Sequence, residues 1–438
     1  MIKKSVSAPR EEWLDGLRGV AALIVAWFHL TVGKIATPYR SFWDSPASEN
    51  RYFFQIAPFR IIFAGNAMVN IFFVVSGYSI SIGLIKLRNE GSLPDFYRRL
   101  TSSVVRRMFR LCFPVAILML TSHSLYYAGL YTMIYEGNQG CPGAKPWSSP
   151  IPHIQCLVRS FVAVINLENN HNVTLNSHLW TIPVEIRNSF YVYFALLGLS
   201  TVSETVRLLA VGILCMRSWW NGTPDSLAFF AGLLFAEISA SGSRKHENPP
   251  LKNRAAMNRI TIFIHYSIFV LGIYFLCLPP PVRPEGPEDA TFSADWSFLG
   301  MAPRLPWWDW ETTMHTCHTL GAIAAVNSIR LLPRLRAPFE SRAAQYLGHI
   351  SFGLYLCHQT VYRVVLHWSL HWMSVIATGI SYFDAHPQGR WDIVFVAWVL
   401  SIPLIATVLW LVSRSMVKSV DQRSVRIGHY MEKVLSGH

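Results

Sequence analysis

Charge is the scarcest commodity in this chain. Only 14% of its 438 residues are Asp, Glu, Lys or Arg, where soluble domains carry about 25%. So few charges could not clothe a soluble globule of this size. They equally exclude a disordered chain and a coiled coil, both of which depend on polar sequence. Cysteine is sparse too, and seven residues in a chain this long exclude a small disulfide scaffold. No nucleotide P-loop, CxxC pair or HExxH motif occurs, and no repeat of about 20–50 residues stands out. A cleavable leader is also missing from the pattern. The first apolar run opens after Glu11, Glu12, Asp15 and Arg18 and carries His29 within it, so it reads as a retained span.

What is present is apolar. Hydrophobic residues make up 52% of the chain, with 16 Trp, 17 Tyr and 26 Phe, and the mean hydropathy is +0.29. Ten apolar stretches approach the roughly 20 residues that cross a hydrocarbon core. They lie at about 14–36, 58–84, 104–130, 180–199, 204–218, 226–240, 260–278, 311–330, 346–367 and 391–413. The expected fold is an all-α polytopic membrane protein of about ten transmembrane helices, with both termini cytoplasmic. A further apolar segment at 154–167 reads as a helix lying on the membrane. The expected organisation is one domain with its core at about 11–415, outer loops at 131–178 and 279–310, and a cytoplasmic tail at 416–438. Together with 37–57, the outer loops are rich enough in Trp, Tyr and Pro to form a cap.

The net charge of +13 hints at nucleic acid until the basic residues are placed. With the N-terminus inside, the proposed inner segments hold 26 of the 38 Lys and Arg residues, which is the positive-inside asymmetry. The excess then follows from topology, and no nucleic-acid partner is expected. Both N-x-S/T sequons, at Asn172 and Asn221, fall in outer segments, which points to a glycosylated protein of a secretory-pathway membrane, with the endoplasmic reticulum as default. Cys141 and Cys156 share one outer loop, where a disulfide is permitted; the pairing stays open. His315 and His318 have ligand-like spacing, but a structural role is the default and no metal is expected.

Ionisable groups inside spans are costly and are functional candidates by default. Arg18 and His29, eleven residues apart, share one helix face and lie about 16 Å apart along the axis. Arg107 and Arg110 are i,i+3 neighbours, suited either to gripping phosphate or to anchoring a helix end. Glu185 is a lone carboxylate just inside a span, with Pro183 disturbing the helix before it. Ser351, Tyr355 and His358 fall on one face, while Ser76, Gly77 and Tyr78 place small residues and a phenol in the second span.

In order along the chain, LDGLRGVAALIVAWFH, FFVVSGY, RRMFRL, HLWTIPVEIRNSF and ISFGLYLCH resemble the acyltransferase 3 family of integral membrane acyl-CoA-dependent O-acyltransferases. The resemblance covers about residues 11–415, and the LWTIPVE form looks like the fungal branch. Bacterial members more often carry a second acidic residue where Ile186 stands here, so Glu185 has either an acidic or a positioning role. The resemblance implies His29 as the catalytic base, Arg18 as its partner on the first helix, and Arg107 and Arg110 as holders of CoA phosphates. Glu185 would orient the imidazole, Tyr355, Ser76 or His358 would donate to an oxyanion, and Ser76, Tyr78 and Trp180 would line the donor's path. Direct transfer and an acyl-histidine intermediate are both open.

The expected activity is transfer of an acyl group, acetyl first among them, from acyl-CoA to a hydroxyl of a lipophilic natural product or a glycan, in contact with membrane lipid. The rival reading is a multi-pass transporter of a small organic molecule, with the buried His, Glu and Arg residues as a relay. A third, a structural membrane protein, sits poorly with so many ordered polar motifs.

Overall fold

A computed structural model describes residues 11–131, 141, 143–167, 175–245, 259–279, 295–296, 305 and 307–436 of the chain. Among these the regular structure is helical, with no strand. The main helices are α1 (Glu12–Thr31), α2 (Gly65–Asn89), α3 (Leu93–Tyr127), α4 (Pro150–Ile165), α5 (Thr181–Gly198), α6 (Glu204–Trp220), α7 (Pro224–Lys245), α8 (Arg259–Leu276), α9 (Trp310–Leu331), α10 (Arg342–Thr378), α11 (Trp391–Met416) and α12 (Gln422–Ser436).

A helix occupies each of the ten apolar stretches, but the ends differ for local reasons. The first stretch leaves the helix after Thr31, and Gly33 takes a positive φ in the turn that follows. Residues Phe59–Phe63 form a separate 3-10 turn before α2. Helix α3 begins well before its apolar part. The Ser92 hydroxyl bonds the Asp95 carboxylate and Pro94 lies in the first turn, which together set a helix start. The segment read as a tail, 416–438, is helical as far as Ser436. It follows α11 through a π turn at Val417–Asp421 and continues as α12. Among the described residues, four helical segments are long and apolar enough to cross a membrane, namely α1, α2, α8 and the run from Trp391 to Val434. Helix α8 leaves Ile260, Phe263, Val270 and Leu271 exposed, a surface that suits hydrocarbon better than water.

The chain forms two compact units, Met1–Val104 with Asn188–His349, and Val105–Arg187 with Ile350–His438. In the first, α2 and α7 meet backbone to backbone: a Cβ on Gly77 would strike the Phe229 carbonyl, and one on Gly232 the Val74 carbonyl. Small residues permit such close crossings. Phe73 and Phe229 fill the core beside them, with ring centroids 5.5 Å apart. Arg88 of α2 grips Glu237 of α7 through two bonds of 2.9 and 2.8 Å, and Arg207 of α6 stands 3.5 Å away. The glycines of the LDGLRG motif have the same purpose. Gly16 and Gly19 let α1 touch Phe339, Leu347 and Gly348 at the start of α10.

In the second unit, α10 meets α11 where Gly353 faces the Ser413 carbonyl. Cys141 and Cys156 form a disulfide, inside a buried cluster with Tyr126, Tyr131 and Ala144. His123 lies beside the joined sulfurs. Helix α4 buries His153, Cys156, Ser160 and Val164, and shows Ile151, Ile154, Val158, Val162 and Ile165 on its other face. That exposed stripe has the form of a helix lying in a lipid interface.

Candidate active site

Helix α1 carries both Arg18 and His29, each half-buried. The helix is uninterrupted between them, so they share a face and are separated by about 16 Å. His29 lies in the last turn, its ring 5.1 Å from that of Phe28. The loop read as part of a cap folds over this turn. Tyr39 bonds the Thr31 hydroxyl at 2.6 Å and reaches the Phe28 carbonyl at 3.4 Å, and its ring meets Phe28 and Phe63 edge-on. Arg60 holds that loop from below by donating to the carbonyls of Arg40 and Tyr39 at 2.6 and 2.9 Å. The Ser41 hydroxyl bonds Asp295, whose carboxyl burial raises above its usual range against the opposing pull of Ser41 and Arg60. Of the other proposed cap segments, 131–178 supplies α4 and the disulfide, while most of 279–310 and the Asn172 sequon lie outside the described residues.

Ser76 and Tyr78 are buried in α2. The Tyr78 hydroxyl donates to Glu11 at 2.9 Å from one carboxylate oxygen and 3.2 Å from the other. The Trp13 indole N–H donates to the same carboxylate at 3.1 Å. Motif spacing did not single out Glu11, because its partners come from another helix.

The remaining candidates belong to the second unit. Arg107 and Glu185 form an ion pair, their side chains 18% and 15% exposed. Arg110 is half exposed and stands 3.9 Å from Asp421, while Arg106 stands 3.6 Å from Glu432 of α12. All three arginines of RRMFR therefore face carboxylates. Pro183 does not disturb α5. It falls in the first turn, where a missing N–H costs nothing, and Glu185 follows on regular helix. Just before it, Ser177–Trp180 make a 3-10 turn that leaves Trp180 half-buried.

This turn is pinned to α10. The Tyr355 hydroxyl donates to the His178 carbonyl at 2.9 Å and meets the Thr181 hydroxyl at 2.6 Å. His178 Nε2 bonds the Leu356 carbonyl at 3.0 Å. His358, fully buried, bonds the Tyr355 carbonyl through Nδ1 at 2.7 Å, and its ring lies 4.7 Å from that of His178. An oxyanion role for Tyr355 or for His358 Nδ1 would need these carbonyl bonds exchanged. His178 itself was absent from the sequence-based candidates, although it stands in the HLWTIPVE motif. Beyond this cluster α3, α10 and α11 enclose a cavity of about 430 Å³, lined mainly by Ile117, Leu118, Val361, Val364, Val408 and Val412. His318, read as a doubtful metal ligand, bonds the Leu278 carbonyl at 3.1 Å.

A model of the acyltransferase domain matches residues 11–412, nearly the whole chain. The chain belongs to the acyltransferase 3 family. Curated fungal relatives include the O-acetyltransferase PaAT-1 of Phomopsis amygdali, 26% identical over 392 residues, or 81% of this chain and 73% of that protein. Acyltransferase clz18 of Cochliobolus lunatus is 25% identical over 409 residues, covering 82% and 84% of the two chains. No solved structure matches. Membership makes this chain a membrane acyltransferase, and the five segments that carry the resemblance lie on α1, α2, α3, α5 with the turn leading into it, and α10.

Proposed function

We propose that this acyltransferase moves an acetyl group from acetyl-CoA to a hydroxyl of a lipophilic acceptor, with His29 as general base. The observation that carries this reading is the pairing of Arg18 and His29 on one face of α1 in a member of this family. An O-acetyltransferase among the relatives favours acetyl as the group moved.

The chemistry balances without a further reagent. Neutral His29 takes the acceptor hydroxyl's proton while the oxygen attacks the thioester carbonyl, a role suited to imidazole near neutral pH. The tetrahedral adduct collapses, the C–S bond breaks, and the leaving thiolate of CoA takes the proton back from the imidazolium. Arg18, one helix length away, meets the anionic part of the donor, and Arg107 and Arg110 enter the proposal as further phosphate ligands through their motif. The half-buried position of His29 keeps the thioester away from bulk water, which limits hydrolysis.

Membranes containing the protein, incubated with radiolabelled acetyl-CoA and a panel of hydroxylated acceptors, should transfer label to an acceptor. His29→Ala should abolish transfer while the protein still folds. Uptake of acceptor without covalent product would replace this reading by transport. Acetyl trapped on His29 in a single turnover without acceptor would replace direct transfer by an acyl-histidine route.

A further inference from the structure

At the start of α1 a single carboxylate sits in a cradle built for an anion. Glu11 receives the hydroxyl of Tyr78 and the indole N–H of Trp13. Tyr78 and Trp13 are each only 2% exposed, so two buried neutral donors converge on one point. Arg330, at the end of α9, is 8% exposed, and Tyr78 and Glu11 both favour its charge against the cost of burial. Its guanidinium is held by neutral groups, the Ser239 hydroxyl at 2.7 Å and the Asn327 side chain at 2.8 Å, and its Nε has no hydrogen-bond partner. Arg336 lies over the Trp13 ring at 5.9 Å, and its own bonds go to the carbonyls of Ile329 and Arg330. Two buried neutral donors therefore hold one half-buried carboxylate, with Arg336 packed against the Trp13 ring.

A buried arginine with an unused donor is expensive unless a negative group offsets it. Glu11 supplies that charge from the N-cap position of α1, where its side chain makes no capping bond to the helix and leaves the backbone start intact if exchanged for another anion. We propose that Trp13, Tyr78 and Arg330 form an anion site for a phosphate of the acyl-CoA donor, and that Glu11 occupies this site in the donor-free protein and leaves when the donor binds. The inference rests on the donor reading above. It adds Glu11, Trp13 and Arg330 to the donor residues named above, and it gives the phenol of the SGY motif a defined partner.

The chemistry of exchange is simple. A phosphate oxygen accepts the same Tyr78 and Trp13 hydrogen bonds that the carboxylate accepts, carries more charge, and can also meet the unused Arg330 Nε. The displaced Glu11 carboxylate returns to water at the helix N-terminus, where a negative charge is tolerated. Glu11 is thus a competitor for the donor, and its removal should tighten binding.

The test is equilibrium binding of CoA to the full-length protein in detergent, with inorganic pyrophosphate as a second probe and thermal unfolding as an independent readout. Glu11→Gln should bind CoA about tenfold more tightly, the net worth of one charge-assisted hydrogen bond. Tyr78→Phe and Arg330→Gln should bind it about tenfold more weakly, and both probes should raise the unfolding temperature of Glu11→Gln more than that of Arg330→Gln. A lower unfolding temperature for Glu11→Gln with CoA affinity unchanged, and unchanged again in Tyr78→Phe, would reduce the cradle to a structural tether and overturn the inference. Failure of every form to bind CoA, with pyrophosphate still bound in an Arg330-dependent way, would overturn the donor reading and leave the anion site standing.

Discussion

Arg107 and Glu185 lie 78 residues apart in sequence and form one ion pair in the second unit. Sequence spacing could place Arg18 and His29 on one face because a single helix carries both, and the 3.6-residue period settles the geometry. It could not find the partner of Glu185, because that depends on which face of α5 turns toward α3. Spacing cannot reveal Glu11 for the same reason, its phenol partner being 67 residues away. The pair changes what single substitutions should do. Arg107→Ala and Glu185→Gln remove the same contact, so their effects on stability should not add. A double-mutant cycle in detergent should give a coupling of about 1 kcal/mol, the scale of a partly exposed pair. Donor KM should rise in both single variants and little further in the double. Additive losses in both stability and KM would show that the two side chains act separately. Arg110, half exposed beside Asp421, should affect donor KM alone.

Among the elements, the crossing of α2 and α7 is the tightest constraint in the first unit. The motif FFVVSGY reads as apolar sequence around a small pair, and the structure shows what the small residue is for: Gly77 faces the Phe229 backbone of α7, and Gly232 faces the Val74–Tyr78 backbone of α2. An alanine at either site would drive the helices apart, strain the core around Phe73 and Phe229 and lengthen the Arg88–Glu237 bonds. Gly77→Ala and Gly232→Ala should each destabilise the protein by roughly 1–3 kcal/mol, the usual range for overpacking. Gly83 supplies the control on the same helix, since a Cβ there meets open space. Gly83→Ala should be neutral or stabilising by about 0.5–1 kcal/mol, the helix preference for alanine over glycine. Thermal unfolding of the three variants in one detergent separates crowding from any general intolerance of α2. Equal losses at all three positions would show that the crossing is not what the glycines provide. Helix positions were legible from apolar length, whereas helix ends were not. The continuations of α3 and α12 are polar and persist because a start signal or a π turn, rather than hydropathy, sets their limits.

Over the whole molecule, few charges must do much of the work of orientation. The bias of 26 of 38 basic residues toward one set of segments predicts that α12 and the RRMFR end of α3 lie in the cytosol and that the disulfide-stapled α4 lies opposite. The disulfide between Cys141 and Cys156 fits an oxidising outer side, and the two features are independent because neither cysteine contributes to the charge count. Trp147, 74% exposed before α4, and Tyr430, 66% exposed on α12, are reporters for the two faces. Free Cys112 and Cys215 are half-buried and the other free cysteines buried, so a background with Cys112→Ser and Cys215→Ser leaves little to label. In sealed vesicles that background with Tyr430→Cys should react with a membrane-impermeant maleimide from the cytosolic face, and with Trp147→Cys only from the other. Reaction of both from one face would break the link between charge and topology. It would also remove the cytosolic access that a CoA donor requires at Arg18, because the same count that places Tyr430 inside places the start of α1 there. A hundredfold preference for opposite faces corresponds to about 2.7 kcal/mol, a bias well within what several basic residues beside short loops impose on insertion.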